Sequence, residues 1–393
     1  MNILLIQPKS NYHHPWCETP SRALLILGTL AKQYGHKVII LHLDIERQNP
    51  KYLIRVFKPD IVGLTVNTFM VRSAQKMAKC FKAEGIQVVI GGPHAVAWDG
   101  EANVVVVGEG ENRWLEILGE EPSIKSIDDI PIPDYSLINL ARFTGVGPSL
   151  GAIPSMAIMA SRGCPYQCSF CNTPAFWGKK VRYRAPELVV DEVEQLHRHY
   201  GINEIFFQDD TFNLNHKWAT EIFGEIIRRQ LNKSMVFRLT GRVNEKLVTD
   251  EYLKIAKRAS IWNIFYGIES GSQYMLDRMK KGITIDEIKR AVKMTHKAGI
   301  TTTCSFIVGL PGESWETLRQ TNNLINEIQP SQFGWCYACP FPGTEFTKEV
   351  ISSGHILHKR YDEYMYGMLV IRSEELSYSD LASFSGFNFI PRK

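Results

Sequence analysis

The apolar positions of this chain come in short β-branched runs separated by amphipathic stretches, and the pattern changes character once, after residue 119. Ahead of that point, predominantly apolar runs at 2–7, 37–43, 61–66, 87–92 and 104–108 predict strands, and amphipathic stretches over 21–34, 51–57, 71–84 and 112–118 predict helices. Strands that are apolar throughout, rather than in alternation, are buried on both faces, as in a parallel sheet covered by helices. The fold class expected for residues 1–119 is therefore α/β, a doubly wound, Rossmann-like parallel sheet. Such sheets take ligands beyond the carboxyl ends of their strands. The candidate binding residues there are the loop 8–20, Thr65 and the loop to residue 70, Gly91, Gly92 and His94 of the Gly-Gly-Pro-His run, and Gly108 and Glu109 of the Gly-Glu-Gly-Glu run.

Residues 120–154 lose the periodicity and carry prolines at 122, 131, 133, 148 and 154, which reads as an extended linker. Strand patterns then recur at 156–161, 204–208, 236–240, 263–268, 302–309 and 332–338, with helical patterns over 186–200, 217–230, 250–258, 285–298 and 315–328. Six strand–helix units in succession predict a partial (β/α)6 barrel over 155–345, with a tail or cap over 346–393. Barrel enzymes work at the carboxyl ends of their strands.

Composition narrows the picture. The 393 residues carry a mild net charge of +4 without long basic runs or a nucleic-acid-binding module, so no nucleic-acid partner is expected. No apolar run approaches the roughly 18 residues of a membrane span, and no basic stretch precedes the short apolar segment at 3–6, so the expected location is the cytoplasm. Eight scattered cysteines do not form a disulfide framework.

Three of those cysteines carry the chemistry. Cys164, Cys168 and Cys171 stand three and then two residues apart in Arg-Gly-Cys-Pro-Tyr-Gln-Cys-Ser-Phe-Cys, so one loop can aim three soft thiolates at one cluster. A structural zinc usually takes four protein ligands. Three ligands on a four-iron, four-sulfur cluster leave one iron open to a small molecule. The plainer reading is a set of buried thiols, or a zinc site that borrows a fourth ligand.

This loop, with Phe170 just before its last cysteine, resembles the radical S-adenosylmethionine (radical SAM) superfamily. The resemblance implies that Cys164, Cys168 and Cys171 ligate a 4Fe-4S cluster, whose open iron chelates S-adenosyl-L-methionine and whose electron cleaves it to a 5'-deoxyadenosyl radical. It places Phe170 near the adenine, Asp209 and Asp210 at the methionyl amino group and Glu269 with Ser270 at the ribose, while Arg242, beyond the third strand, can pair with the methionyl carboxylate in a planar two-point contact. Ile307, Gly309 and Gly312 then pass the adenine. Singly, each has an ordinary explanation: a helix cap, a salt bridge, a turn, a glycine loop. Together, each beyond its own strand and behind a cysteine loop, they support the resemblance.

The front domain resembles the cobalamin-binding domain found ahead of many radical SAM domains, which makes Thr65, Gly91, Gly92, His94, Gly108 and Glu109 its cobalamin-side residues. The Asp-x-His-x-x-Gly motif of other cobalamin proteins is missing, and the segment between Gly92 and Val104 is too short for the helix usual there. His94 is either a cobalt ligand or a loop residue that hydrogen-bonds locally. Cys304, Cys336 and Cys339 are expected in the core, the last two on opposite faces because their spacing is odd. Cys17 reads as a bystander. The basic, aromatic patch at 179–184 is a solvated loop or an anion site, and the tail with its apolar end at 384–390 is expected to cover the open barrel mouth or the underside of the sheet.

The function expected is an oxygen-sensitive radical SAM enzyme performing cobalamin-dependent methylation of an unactivated carbon on a small-molecule substrate, reduced by a flavodoxin or ferredoxin. One alternative keeps the radical and drops cobalamin, with the front domain as scaffold for a cyclisation, rearrangement or oxidation. A second is an iron–sulfur redox sensor. A methylthiotransferase would need a second cysteine triad in the front domain, which has only Cys17 and Cys80.

Overall fold

The computed structural model describes all residues except 11–18, 47–48, 144–150, 358–359, 365–367, 374, 383–389 and 392–393. Cys17 and the tail residues 384–389 thus lie outside the described residues. The chain divides into two compact units, Met1–Gly147 with Ala175–Trp177, and Pro148–Pro174 with Gly178–Lys393.

In the first unit, β1 (Asn2–Gln7), β2 (Lys37–His42), β3 (Ile61–Thr65), β4 (Gln87–Gly91) and β5 (Val104–Val105) alternate with α1 (Arg22–Gln33), α2 (Pro50–Phe57), α3 (Val71–Ala83) and α4 (Glu111–Leu118). The sheet order is β2-β1-β3-β4-β5 with every pairing parallel, so the doubly wound expectation holds. Ile3, Leu4, Leu5 and Ile6 are wholly buried, as a strand covered on both faces must be. The chain order reverses between β1 and β3, which opens a crevice at their carboxyl ends. β5 is shorter than its apolar run suggested. After Val106 N–H bonds Ile90 C=O the ladder stops, and Gly108 turns with φ +86°. Between β4 and β5 only a 3-10 turn, Ala95–Ala97, fills the space where a helix was missing from the sequence.

Residues 120–143 turn through three 3-10 segments that bury Ile127, Tyr135, Leu140 and Phe143. Asp134 pairs with Lys32 of α1 at 2.6 Å.

The second unit is built on a seven-stranded sheet in the order β14-β13-β12-β11-β10-β9-β6. Its strands are β6 (Ser155–Ile158), β9 (Glu204–Phe207), β10 (Val236–Gly241), β11 (Ile261–Glu269), β12 (Thr301–Val308), β13 (Gln332–Tyr337) and β14 (Ile390–Pro391). A separate antiparallel pair is β7 (Ser161–Arg162) and β8 (Arg182–Tyr183). Six strands run parallel and β14 runs antiparallel along β13. A short helix α5 (Thr173–Phe176) runs across the division between the units, and the helices of the second unit are α6 (Pro186–Tyr200), α7 (His216–Arg228), α8 (Asp250–Arg258), α9 (Gln273–Arg278), α10 (Ile285–Lys297), α11 (Trp315–Ile328), α12 (Glu345–Ser352) and α13 (Tyr378–Ala382). Thr284 and Ser314 start α10 and α11 with reciprocal side-chain to backbone caps, which satisfy amides that have no partner inside the helix.

Three expectations change. The strand expected over 156–161 is two strands, because the backbone leaves the sheet after Ile158 and Ala160 N–H is met by the Asp209 carboxylate instead of a ladder carbonyl. Cys336 and Cys339 do not face apart. β13 ends at Tyr337, so strand alternation lapses and both thiols join one buried group with Met275, Ile307 and Phe346. Arg184 of the basic patch is no solvated residue, since it is buried in a 2.6 Å pair with Glu192.

The described part of the tail packs on this unit. Leu369, Val370, Ile371, Leu376 and Leu381 are buried, and Tyr337 OH donates to Leu381 C=O at 2.9 Å.

Candidate active site

The cysteine loop leaves β7 through Gly163, whose φ is +100° and where a Cβ would sit 2.5 Å from Lys180 O, so glycine is required. The loop is pinned at both ends. Cys171 N–H closes a turn on Cys168 C=O at 3.1 Å, Ser169 N–H bonds Met279 C=O at 2.9 Å, and Phe346 N–H bonds Ser169 C=O at 2.9 Å. All three thiols are half-buried. Burial raises the thiols of Cys164 and Cys171, and the neighbouring Asp210 carboxylate adds to this. The opposing charge is Arg242, whose Nη1 lies 3.8 Å from Cys168 Sγ. Among the described residues no three metal-binding side chains converge on a single ion. Three soft donors on one pinned loop, with a guanidinium beside them, fit a four-iron, four-sulfur cluster with one iron open.

The strand ends bring the remaining candidates in. Beyond β9, Asp209 and Asp210 divide their tasks. Asp209 is buried, accepts from Ala160 N–H at 3.1 Å and from Ser161 OH at 2.5 Å, and is pushed up to about 7 by burial. It ties the β6–β7 break to β9. Asp210 turns the other way, accepting from Thr173 OH at 2.9 Å within the field of Cys164 and Cys171. Beyond β10, Arg242 is buried rather than in a surface salt bridge. Its N–H is held by Asn213 Oδ1 at 2.9 Å, its Nε donates to Asn244 Oδ1 at 3.0 Å, its Nη2 donates to Lys281 C=O, and its guanidinium lies 3.5 Å from the Tyr166 ring centroid.

Beyond β11, Glu269 adopts φ +74°, a left-handed conformation that costs a residue with a Cβ roughly 1–2 kcal/mol. The register with β12 shifts between Gly267 and Glu269, and the carboxylate meets Lys281 Nζ at 2.8 Å and Ser305 OH at 3.4 Å. Ser270 is occupied otherwise. Its hydroxyl takes Ser272 N–H at 3.1 Å and pairs with Thr321 at 3.3 Å, which fixes the turn. Beyond β12, Gly309 and Gly312 have φ of +85° and +82°. Gly309 N–H is accepted by Glu313 Oε2 at 2.6 Å. Burial pushes the Glu313 carboxyl up to about 8. Ile307 and Phe170 meet in the apolar group that holds Met275 and Met279.

In the first unit, Thr65 and Gly91 are register partners at the ends of β3 and β4, and a Cβ at Gly91 would meet nothing within 4 Å. Gly92, at φ +95°, packs its α-carbon against Val66, and Gly108 turns beyond β5 with Glu109 exposed. The strand ends at Thr65 and Gly91, open above Gly91 and next to the switch point, suit a large flat ligand. His94 is 0% exposed, with Nδ1 3.3 Å from Thr68 Oγ1 and its basicity lowered by burial. It belongs to the core between the loops after β3 and β4.

Lys281, Tyr166, Thr173 and Asn213 were not singled out from sequence. Lys281 follows a short helix in a loop, where a lysine leaves no periodic signal; its burial is visible only in three dimensions.

Residues 158–325 match the Radical SAM superfamily and residues 17–118 the B12 binding domain. An uncharacterized methyltransferase of Pyrococcus horikoshii is 31% identical over 383 residues, 88% of this chain and 81% of that protein. The anaerobic magnesium-protoporphyrin IX monomethyl ester cyclase of Cereibacter sphaeroides is 28% identical, covering 97% of this chain and 68% of the relative. Among solved structures, the radical S-adenosylmethionine methyltransferase TsrM of Kitasatospora setae, with cobalamin and a 4Fe-4S cluster bound, superimposes with a TM-score of 0.73 at 19% identity, over 98% of this chain and 91% of that one.

Proposed function

Since the chain belongs to the radical SAM superfamily and carries a B12-binding domain, we propose that it methylates an unactivated carbon of a small-molecule substrate in a cobalamin-dependent reaction. The observation that carries the proposal is the presence, in one chain, of the pinned three-thiol loop and a front unit matched by the B12 binding domain. When bound, the cluster supplies the electron that splits S-adenosylmethionine to a 5'-deoxyadenosyl radical and cobalamin supplies the methyl group.

The protein's own part is to bind, orient and exclude water. Cys164, Cys168 and Cys171 hold the cluster. Asp210 offers a carboxylate to the methionyl ammonium, and Arg242 a planar cation to its carboxylate. Glu269 accepts from the ribose hydroxyls, and Ile307, Gly309 and Phe170 provide an apolar seat for the adenine. Ser270 and Asp209 support these groups through the turn and the strand break described above. Thr65, Gly91, Gly92, Gly108 and Glu109 line the cobalamin edge, with His94 behind them rather than on the metal. A one-electron donor such as flavodoxin or ferredoxin would reduce the cluster. Among the described residues no helix is long and apolar enough to cross a membrane, which accords with a cytoplasmic location.

A second reading, radical cyclisation or oxidation, is favoured by the relatives named as monomethyl ester cyclases. Anaerobic reconstitution with iron, sulfide and cobalamin, followed by reduction and assay of 5'-deoxyadenosine and S-adenosylhomocysteine, separates the two. Retained corrin with both nucleosides supports methylation. Deoxyadenosine alone refutes it and leaves the second reading.

A further inference from the structure

Lys281 is a buried charged residue of the second unit whose placement the cofactor-binding roles above do not explain. It stands in the connection between α9 and α10 and is 6% exposed. A buried ammonium must be paired, and among the described residues the only hydrogen-bond acceptor of Nζ is Glu269 Oε1 at 2.8 Å. Three local features converge on that pair. The backbone takes Glu269 into the left-handed region, the register with β12 shifts beside it, and residue 267 is glycine. A Cβ on Gly267 would stand 2.6 Å from Glu269 Oε1 and 3.2 Å from Lys281 Nζ, so the ion pair lies across the space that a side chain would fill. Lys281 is also anchored from the other direction, because its carbonyl accepts from Arg242 Nη2. Its Nζ lies 5.8 Å from the ring centroid of Phe170 in the cysteine loop. One residue thus connects the guanidinium beside the thiols, by its backbone, with the carboxylate at the end of β11, by its side chain.

We propose that Lys281 is a positioning residue for the nucleoside of S-adenosylmethionine: its ammonium, lying across Gly267, holds the Glu269 carboxylate aimed at the ribose hydroxyls. This rests on the reading of Glu269 as the ribose acceptor. Lys281 touches the ligand only through Glu269, so its removal should cost ribose recognition and little else. A hydrogen bond to a charged acceptor contributes about 1.5–3 kcal/mol, and its loss weakens binding by roughly ten- to a hundredfold.

The test measures binding of S-adenosylmethionine and of its 2'-deoxyribose analogue to the anaerobically reconstituted, oxidised enzyme, which binds without turning over. The wild type should prefer the parent ligand by about tenfold or more. Lys281→Met, Glu269→Gln and Gly267→Ala should each reduce the preference below about threefold, chiefly by weakening the parent ligand. Lys281→Arg, which restores a cation, should recover most of it. Iron and sulfide content, and the electron paramagnetic resonance signal after reduction, should be unchanged in every variant. Should Lys281→Met not keep its cluster, Gly267→Ala carries the same test with both charged groups in place. If Glu269→Gln abolishes the preference and the Lys281 and Gly267 variants keep it, the proposal is overturned while Glu269 stands as the ribose acceptor. If Glu269→Gln also keeps the preference, both are overturned.

Discussion

Glu313 offers a quantitative test of how the glycine loop after β12 is held. Its carboxyl is 1% exposed, accepts Gly309 N–H at 2.6 Å and is pushed up by burial to about 8 from an ordinary 4.5. The folded enzyme therefore carries Glu313 protonated at neutral pH, whereas the unfolded chain ionises it above 4.5. A raised carboxyl contributes its stability fully below the unfolded value and loses it as pH rises toward the folded one. At 1.36 kcal/mol for each pH unit, the loss is about 3 kcal/mol at pH 7 and levels off near 5 kcal/mol above pH 8. Glu313→Gln keeps an amide oxygen for Gly309 N–H and removes the titration. Thermal melts of wild type and variant from pH 5 to pH 8.5 should show nearly equal midpoints at the acid end and a steadily widening advantage for the variant above it. Other titrating groups cancel in the difference. A gap that is independent of pH, or that closes as pH rises, would refute the reasoning and mean that the folded carboxyl is ionised.

Four further outcomes are expected. Asp209→Ala should lower stability by about 2–4 kcal/mol, since it orphans the buried Ala160 amide and Ser161 hydroxyl, whereas Asp210→Ala should leave the melt unchanged and weaken S-adenosylmethionine at least ~tenfold by equilibrium dialysis. Gly163→Ala should reduce iron retained after reconstitution, because the new Cβ meets Lys180 O at 2.5 Å; the ultraviolet-visible spectrum reads the loss directly. His42 is buried, with neither ring nitrogen hydrogen-bonded among the described residues, and is lowered by burial to about 4 from 6.5, so stability should fall by about 3 kcal/mol as pH drops across that range. Acid melts of His42→Leu should lose that portion of the slope.

The architecture was legible because its signals are local and repeated. Apolar runs mark the buried strands, and the order of strands and helices dictates parallel pairing. The cysteine loop was legible because three ligands sit within eight positions of sequence. What stayed hidden depends on how distant segments meet. Adjacent aspartates look equivalent in sequence, yet the strand break at Ala160 turns one into scaffold and leaves the other beside the thiols. The Glu-Ser pair at 269–270 divides in the same way, because Ser270 is consumed by Thr321, a partner 51 residues on. Cys336 and Cys339 misled because alternation was extended beyond the end of the strand. Lys281 was invisible because only tertiary contact with Glu269 and Arg242 distinguishes it from the exposed Lys280 beside it.

The tail's position over the glycine loop after β12 has a consequence for biosynthesis. Side-chain atoms of Leu369 and Leu381 lie closest to the face of Gly309, and both residues are made only after all six parallel strands have been translated. For that interval the nascent barrel displays Ile307, Val308 and Leu310 without their cover, and exposed apolar surface on an incomplete domain invites aggregation. A messenger truncated between the codons for residues 345 and 381 would yield a chain with every cofactor ligand named above and a permanently bare flank. Soluble yield from such truncations, rather than their catalysis, would register the loss first.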